Sequence, residues 1–270
     1  MSTPTARRTL SVPAARRTLS GLAAAALGLA LLAGSAGMPA QAETAPLAKS
    51  DVETIVRDYL LEHPEVIREA LEELERRDMA KADEARAQTL SSVSDILFNS
   101  TRQVELGNPD GDVTLVEFFD YNCGYCKRAM ADMDRLLEED PNLRIVLKEF
   151  PVLGQGSVEA AQVAAALNHI APAKYAEFHR ELMGIQGRAN RASALAAAKT
   201  VGVTEEEIRK AVADPEVNAT IEEAYTLANK LGLTGTPSYV VGDEVVMGAV
   251  GYDQLAEKIK SVRDCGATSC

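Results

Sequence analysis

The chain of 270 residues contains no tryptophan, and aromatic residues make up only 4% of it. Surfaces that stack nucleic-acid bases and large aromatic-lined ligand pockets both need such side chains, so neither is expected. Basic residues are also in the minority, with 28 Lys and Arg against 40 Asp and Glu and a formal net charge of −12. This charge repels phosphate backbones and anionic lipid surfaces. The composition therefore excludes a nucleic-acid partner.

Other features of the composition are ordinary. Hydrophobic residues account for 46% and charged residues for 25%, which excludes disorder throughout the chain. The length suits one or two domains. The four cysteines are the residues with the most specific chemistry, and their placement is informative.

The N-terminus has the pattern of an export signal. Four arginines lie within the first 17 residues, an apolar stretch covers residues 19–36, and Ala40-Gln41-Ala42 is a small-x-small cleavage site. A transmembrane anchor is the alternative, but the stretch is short for a membrane span and a cleavage site follows it. We predict a signal peptide over residues 1–42, cleaved near Ala42, with Sec and twin-arginine export both open. The mature protein is then expected in the periplasm, where disulfides persist.

Residues 43–98 are predicted to be helical, with an apolar stripe that starts near Val52 and continues to Leu74. Pro64 suits the first turn of a second helix. A solitary amphipathic helix needs a partner, which is either the chain's own globular domain or a second copy of the same segment. We favour self-association because the segment is long and precedes the next domain.

The sequence pattern changes from purely helical to mixed strand and helix over residues 99–263. Strand patterns cover residues 113–119 and 143–150, and a hairpin pattern lies within residues 238–247. Helical patterns cover 127–138, about 157–230 and 252–262. The order predicts an α/β domain with an inserted helical subdomain.

Cys123-Gly124-Tyr125-Cys126 lies where the first strand gives way to a helix. The unpaired amides of a helix N-terminus stabilise a thiolate, so Cys123 is the expected nucleophile of thiol–disulfide exchange. Cys126, one turn further on, can resolve the mixed disulfide. The alternatives are half a zinc site or a structural bridge, but the three histidines (His63, His169 and His179) show no ligand spacing and are taken as surface or packing residues.

Two further features fit a redox site. Glu117, six residues before Cys123, can lie beneath the helix start, where burial raises its pKa and lets it accept the Cys126 proton. Lys148 in the next strand is a candidate partner, and a purely structural ion pair is the alternative. Thr236-Pro237 before a strand is a candidate cis peptide that leaves an edge amide and carbonyl for a substrate strand.

These residues carry a resemblance to a known family. The segments 118–126 (FFDYNCGYC), 148–153 (KEFPVL) and 235–237 (GTP) resemble the DsbA family of periplasmic thiol–disulfide oxidoreductases, which have a thioredoxin fold. The resemblance implies that Cys123 is the nucleophile, Cys126 the resolving cysteine, Glu117 the buried acid and Pro237 the cis-proline. It also implies exported protein substrates, a membrane redox partner, and no cofactor beyond the Cys123–Cys126 disulfide.

Residues 51–67 further resemble the N-terminal segment of the ScsC branch of this family, which is linked to copper tolerance. In that branch the segment can oligomerise the protein, and trimeric members are disulfide isomerases. The Gly-Tyr dipeptide and Thr236 before the proline also match isomerases. The resemblance therefore implies an isomerase that forms a homo-oligomer, such as a trimer. A dithiol oxidase is the alternative within the family.

Cys265 and Cys270 form a second pair in the tail, residues 264–270. In an exported protein we expect them to form a structural bridge. Two alternatives are a labile bridge that relays electrons to Cys123 and a pair of thiols that binds Cu(I). Because the two thiols could bind Cu(I), a copper-binding function is a competing hypothesis.

Overall fold

The computed structural model describes residues 48–270, so the predicted signal peptide over residues 1–42 lies outside the described residues. The chain divides into two compact units between Glu62 and His63. In the first unit the described part is one helix, α1 (Lys49–Glu62). Within residues 48–270 no helix is long and apolar enough to cross a membrane.

The second unit contains a five-stranded sheet and the remaining helices. Its strands are β1 (Val104–Gly107), β2 (Val113–Phe119), β3 (Leu143–Glu149), β4 (Ser238–Val241) and β5 (Glu244–Met247). Its α-helices are α2 (Glu65–Asn99), α3 (Gly124–Glu139), α4 (Gln155–Ile170), α5 (Tyr175–Gly184), α6 (Arg191–Thr200), α7 (Glu205–Val212), α8 (Pro215–Lys230) and α9 (Tyr252–Cys265), with a 3₁₀ turn at Pro172–Lys174.

The strand order is β1-β3-β2-β4-β5. Strands β2 and β3 are parallel, and the other neighbouring pairs are antiparallel. The parallel pair is joined through α3, as a parallel connection requires. This is the predicted thioredoxin fold, with α4 to α8 inserted between β3 and β4.

The sheet is buried on both faces, which explains the nearly continuous apolar sequence of β2 and β3. Odd-numbered residues of β2, such as Leu115 and Phe119, belong to a core shared with α3, α9 and the inserted helices. Even-numbered residues, such as Val116 and Phe118, belong to a second core with α2 and α8. The face of each β2 side chain therefore depends on its parity.

The domain boundary differs from the one the sequence predicts. The predicted N-terminal helical segment extends to residue 98 and is separate from the thioredoxin domain. In the structure, α2 contributes Leu90, Val93 and Leu97 to the second core of that domain. Leu97 is completely buried. The C-terminal part of α2 therefore belongs to the thioredoxin domain, because it covers one face of the sheet. Its N-terminal part exposes Leu71 and Leu74.

The inserted helices start close to the predicted position, at Gln155 rather than residue 157, and end at Lys230. Helix α4 lies at their centre and buries five alanines with Val163 and Leu167. Small side chains let neighbouring helices approach α4 closely, which accounts for the alanine-rich sequence.

The tail cysteines form the expected disulfide, Cys265–Cys270. Arg263, two residues before Cys265, pairs with Asp112, which precedes β2, whereas Cys123 follows the other end of β2. Seven strand residues separate these ends by about 20 Å. The electron relay to Cys123 within one chain is therefore wrong, because the two cysteine pairs lie at opposite ends of the sheet.

Replacing both Cys265 and Cys270 with Ser is expected to lower stability without changing thiol–disulfide exchange. Closing so short a loop contributes about 2 kcal/mol to the free energy of unfolding. The bridge also anchors the tail, where Thr268 donates to Asp243 in the β4–β5 turn. Urea denaturation gives the free energy, and exchange with glutathione disulfide gives the activity. A large loss of exchange at unchanged stability would contradict the structural role.

Candidate active site

Cys123 is the N-cap residue of α3 and follows the loop 120–122 at the end of β2. Its amide donates to the carbonyl of Asp120 at 3.0 Å, and its carbonyl accepts from the amide of Lys127 at 3.0 Å. Cys123 keeps 5% of its surface exposed, against 1% for Cys126 in the first turn of α3. The sulfur at the helix end is therefore the more accessible of the two.

Thr236 and Pro237 meet Cys123 from the other side of the site. The Thr236–Pro237 peptide bond is cis, as the sequence analysis expected. The thiol of Cys123 donates to the carbonyl oxygen of Thr236 at 3.1 Å. The carbonyl of Pro237 accepts from Gly248 at 2.9 Å, which ties this segment to the end of β5. Two segments 113 residues apart thus meet at one sulfur.

Glu117 lies on β2 with its side chain on the same sheet face as α3. It is 4% exposed, and it makes no hydrogen bond or ion pair with any residue of the described chain. Desolvation alone raises its pKa to about 8. A carboxyl with such a pKa exchanges its proton near neutral pH, which suits a general base or acid.

Cys126 shares a small cavity with Glu117. The cavity has a volume of about 20 Å³ and is otherwise lined largely by apolar side chains such as Met130 and Leu147. Burial raises the pKa of Cys126 well above its ordinary value, the negative charge of Glu117 raises it further, and the Thr236 side chain acts in the opposite direction. Cys126 therefore needs a nearby base to ionise, and Glu117 is the buried carboxyl beside it.

Lys148 does not pair with Glu117, so that part of the sequence analysis is wrong. Glu117 is opposite Leu147 in the parallel pair, and Lys148 is opposite Phe118. Side chains alternate along a strand, so Lys148 projects from the other face of the sheet. There its ammonium contacts Glu223 at 3.2 Å and the carbonyl of Ile96 at 3.1 Å.

The loop before Cys123 is held by two side chains that the sequence analysis did not single out. Asp120 is buried and accepts from the amides of Asn122 and Leu153. Asn122 donates to Ser157 and to the carbonyl of Ala189, and accepts from the amide of Ala189 at 2.7 Å. The inserted helices therefore hold the loop in place. The signal in the sequence is the Asp-x-Asn pattern directly before the cysteine.

A buried polar cluster lies behind the site and consists of Tyr121, Glu149, Tyr175 and His179. Tyr175 donates to Glu149 at 2.6 Å, the hydroxyls of Tyr121 and Tyr175 are 3.1 Å apart, and Tyr121 lies 3.2 Å from Nδ1 of His179. His179 was expected to be a surface or packing residue; it is buried but hydrogen bonded. The signals were a charged residue inside an apolar strand and a Tyr-His pair four residues apart on a helix.

The arrangement is suited to thiol–disulfide exchange. The less buried of the two cysteines lies at a helix N-terminus, the more buried one lies in the next turn, and a buried carboxyl lies next to the latter. The backbone at Thr236 offers a carbonyl at the first sulfur. Within residues 48–270 no group of three or more His, Cys, Asp or Glu is placed to hold a metal ion.

Comparison with known proteins agrees with this geometry. The family model described as DSBA-like thioredoxin domain matches residues 114–260, and that described as Copper resistance protein ScsC N-terminal domain matches residues 49–81. A thioredoxin-like oxidoreductase from Silicibacter pomeroyi DSS-3 is 47% identical, with a TM-score of 0.61, over 63% of this chain and 98% of that chain. Proteus mirabilis ScsC in a transitional conformation is 32% identical, with a TM-score of 0.61, over 78% of this chain and 95% of that chain.

Two curated proteins show similarity as well. Disulfide bond formation protein D of Bacillus subtilis (strain 168) is 27% identical over 58% of this chain and 76% of its own length. Na(+)/H(+) antiporter NhaA 1 of Salinispora arenicola (strain CNS-205) is 26% identical over 57% of this chain, but the match spans only 24% of the antiporter.

Proposed function

This chain belongs to the DSBA-like thioredoxin domain family, whose model matches more than half of it, and we propose that it is a thiol–disulfide oxidoreductase acting on exported proteins. The observation that carries the proposal is the placement of Cys123 at the N-terminus of α3, 3.1 Å from the Thr236 carbonyl. The predicted signal peptide supports a periplasmic location.

The exchange cycle uses three side chains. The Cys123 thiolate attacks a substrate disulfide, one substrate sulfur leaves as a thiolate, and a mixed disulfide forms. Cys126 gives its proton to Glu117 and attacks Cys123, which releases the second substrate sulfur and closes the Cys123–Cys126 disulfide. The reverse sequence transfers the disulfide to a dithiol substrate. A redox partner in the membrane would reset the pair between cycles.

The surface around Cys123 suits protein substrates with exposed apolar segments. Tyr125 is 60% exposed, and Val152, Leu153 and Met247 are each exposed by 41 to 51%. Leu153 binds Asp120 through its amide, and Met247 precedes the glycine that binds Pro237. Such side chains attract apolar segments of misfolded chains, while the cis-proline segment offers backbone groups to an extended strand.

The N-terminal helices are proposed to assemble several copies of the chain. Each helix exposes apolar residues at helical spacing, namely Val52, Ile55 and Val56 on α1 and Ile67, Leu71 and Leu74 on α2. Exposed apolar stripes favour association. The match of residues 49–81 to the ScsC N-terminal family supports this assignment.

An assembly of this kind favours disulfide isomerisation over simple oxidation. Several sites on one oligomer can hold a misfolded substrate while wrong disulfides are attacked and reformed. Copper sequestration by the tail is not favoured, because Cys265 and Cys270 are joined in a disulfide and Cu(I) binds thiolates. A dithiol oxidase remains the competing function within the family.

The isomerase proposal predicts that charges in the α2 stripe abolish both assembly and isomerisation. The test uses the protein of residues 43–270 as the parent. The variant Ile67→Glu/Leu71→Glu/Leu74→Glu is expected to be monomeric and to reactivate scrambled ribonuclease about tenfold more slowly than the parent. Light scattering gives the mass, and ribonuclease activity gives the isomerase rate. These positions lie outside the part of α2 that covers the sheet, so the catalytic domain keeps its fold.

The control is Arg68→Glu/Gln88→Glu, which changes the net charge of α2 equally at exposed positions outside the stripe. It is expected to keep the mass and the rate of the parent. If the parent is inactive on scrambled ribonuclease yet oxidises a reduced substrate rapidly, the oxidase function replaces the isomerase function.

A further inference from the structure

The buried cluster of Glu149, Tyr175, Tyr121 and His179 has no part in the exchange cycle described above. Each of the four side chains is at most 7% exposed. Their hydrogen bonds run without a break from the Glu149 carboxylate through the two tyrosine hydroxyls to Nδ1 of His179. Polar groups buried in this way are costly unless connected, so the chain of contacts is a defined arrangement.

His179 connects this cluster to the reacting sulfur. It lines the cavity of about 20 Å³ that Glu117 and Cys126 also line. Its Nδ1 contacts Tyr121, and its other ring nitrogen has no hydrogen-bond partner in the described chain. The cavity is large enough for about one water molecule, and the polar residues that line it besides Cys126 are Glu117, His179, Asp134 and Arg180.

Glu149 lies next to a groove on the other side of the domain. It lines a second small cavity with Tyr175, Asn168 and Arg102. Asn168 and Arg102 also line an open groove beside β1. Strand β1 is the edge opposite to the β4–β5 side of the sheet, where Thr236 meets Cys123. A substrate bound at Cys123 therefore leaves this groove uncovered.

The exchange cycle creates a need for a proton route. Each resolution step moves one proton from Cys126 to Glu117, which is buried and has no hydrogen-bond partner to pass it on. With a pKa of about 8, Glu117 holds a proton in most molecules at neutral pH, so this proton must leave before each resolution step, including the first.

We propose that His179, Tyr121, Tyr175 and Glu149 form a proton relay. It carries the proton of Glu117 toward the β1 side of the domain. The inference rests on the proposed exchange function and deepens it. None of the four residues needs to touch the substrate, since they act through Glu117.

The proton balance is as follows. Glu117 releases its proton through the cavity to the free ring nitrogen of His179. His179 passes the proton on its Nδ1 to Tyr121, Tyr121 passes its own to Tyr175, and Tyr175 passes its own to the Glu149 carboxylate. Glu117 ends as a carboxylate and Glu149 as a carboxylic acid, while the other three groups regain their original proton count.

The electrostatic surroundings are compatible with this transfer. Burial raises the pKa of Glu149 to about 8, as it does for Glu117, so transfer between the two carboxyls is nearly balanced in free energy. Burial lowers the pKa of His179 to about 3, which keeps the ring neutral and makes it a carrier rather than a trap.

Other charged and titratable groups face the relay from its neighbouring elements. They are Asp120 near Glu149, Arg180 and Asp134 near His179, Tyr239 near Glu117, and Arg102 and Lys148 at the second cavity. Asp120 raises the pKa of Glu149, and Arg180 lowers that of His179. The pH profiles below are compared in full-length variants that keep all six.

The test separates formation of the mixed disulfide from its resolution. Reduced protein is mixed with glutathione disulfide, quenched with acid, and analysed by mass spectrometry, which resolves the mixed disulfide from the Cys123–Cys126 disulfide. Glu149→Gln and Tyr175→Phe are expected to slow resolution about tenfold between pH 6 and 8 and to leave formation within about twofold. In the parent, the pH profile of the resolution rate is expected to show two coupled ionisations, those of Glu117 and Glu149. In Glu149→Gln it is expected to show one.

Tyr225→Phe is the matched control. It removes a tyrosine hydroxyl that contacts the Pro151 carbonyl at 2.5 Å on the other side of the sheet, away from the relay. It is expected to change neither step. If Glu149→Gln fails to fold, as judged by near-UV circular dichroism, Tyr121→Phe decides. It loses only one hydroxyl and removes the contact of the relay with His179, whereas in Tyr175→Phe the 3.5 Å contact between Tyr121 and Glu149 remains.

Two results overturn the inference in distinguishable ways. Slow resolution in Glu117→Gln together with parental rates and pH profiles in Glu149→Gln and Tyr175→Phe would show that Glu117 reaches solvent without the relay. Failure of the parent itself to form a mixed disulfide would remove the proposed function, and the relay with it.

Discussion

Replacing Cys126 with Ser is expected to trap the protein on its substrates as a mixed disulfide through Cys123. Replacing Cys123 with Ser is expected to reduce exchange to the uncatalysed background. The asymmetry follows from the structure, because Cys123 is the more exposed sulfur at the N-terminus of α3 and Cys126 is shielded beside Glu117. Without Cys126 the first exchange still occurs, but the only exit is attack by an external thiol.

The measurement is non-reducing electrophoresis after the reduced variant is incubated with a substrate protein that contains scrambled disulfides, followed by reduction of the isolated adducts. Adducts are expected for Cys126→Ser and absent for Cys123→Ser. Cys265→Ser/Cys270→Ser serves as the control, since these sulfurs lie at the opposite end of β2. Adducts of equal yield with Cys123→Ser would reverse the assigned roles of the two cysteines.

Replacing Glu117 with Gln is expected to stabilise the protein at pH 8 while slowing the resolution of mixed disulfides. The folded-state pKa of Glu117 is about 8, far above that of an exposed glutamate at 4.5. Below pH 4.5 the carboxyl is neutral in both states. Between pH 4.5 and 8 only the unfolded state ionises, so the free energy of unfolding falls as pH rises. Glutamine does not titrate and avoids this loss.

The difference in free energy of unfolding between Glu117→Gln and the parent should therefore increase as the pH rises. We expect little difference at pH 4 and a gain of about 4 kcal/mol at pH 8, since each unit of pKa shift corresponds to about 1.4 kcal/mol. Urea unfolding at several pH values measures it. Glu138→Gln on the exposed face of α3 is the control and is expected to show no such widening. A constant difference from pH 4 to 8 would mean that the pKa of Glu117 is the same in the folded and unfolded states.

The sequence determined the fold and the reacting residues because both are encoded locally. A buried strand, a Cys-x-x-Cys segment and an amphipathic helix are consecutive, so Cys123 must lie at a helix N-terminus whatever surrounds it. Glu117 is an acid within the same apolar strand, and Pro237 precedes another strand. The Cys265–Cys270 bridge joins residues only five apart in the chain.

Only the tertiary structure decided which distant residues share a face or a core. The register of β2 with β3 places Leu147 opposite Glu117 and sends Lys148 to the other face, and no local pattern fixes that register. The end of α2 is part of the sheet's core because the face between α2 and α8 must be covered. Glu149 and His179 belong to one cluster because Tyr175 of α5 contacts Glu149 at the end of β3 and Tyr121 contacts His179. Their sequence separation conceals both the contact and the burial that shifts their pKa values.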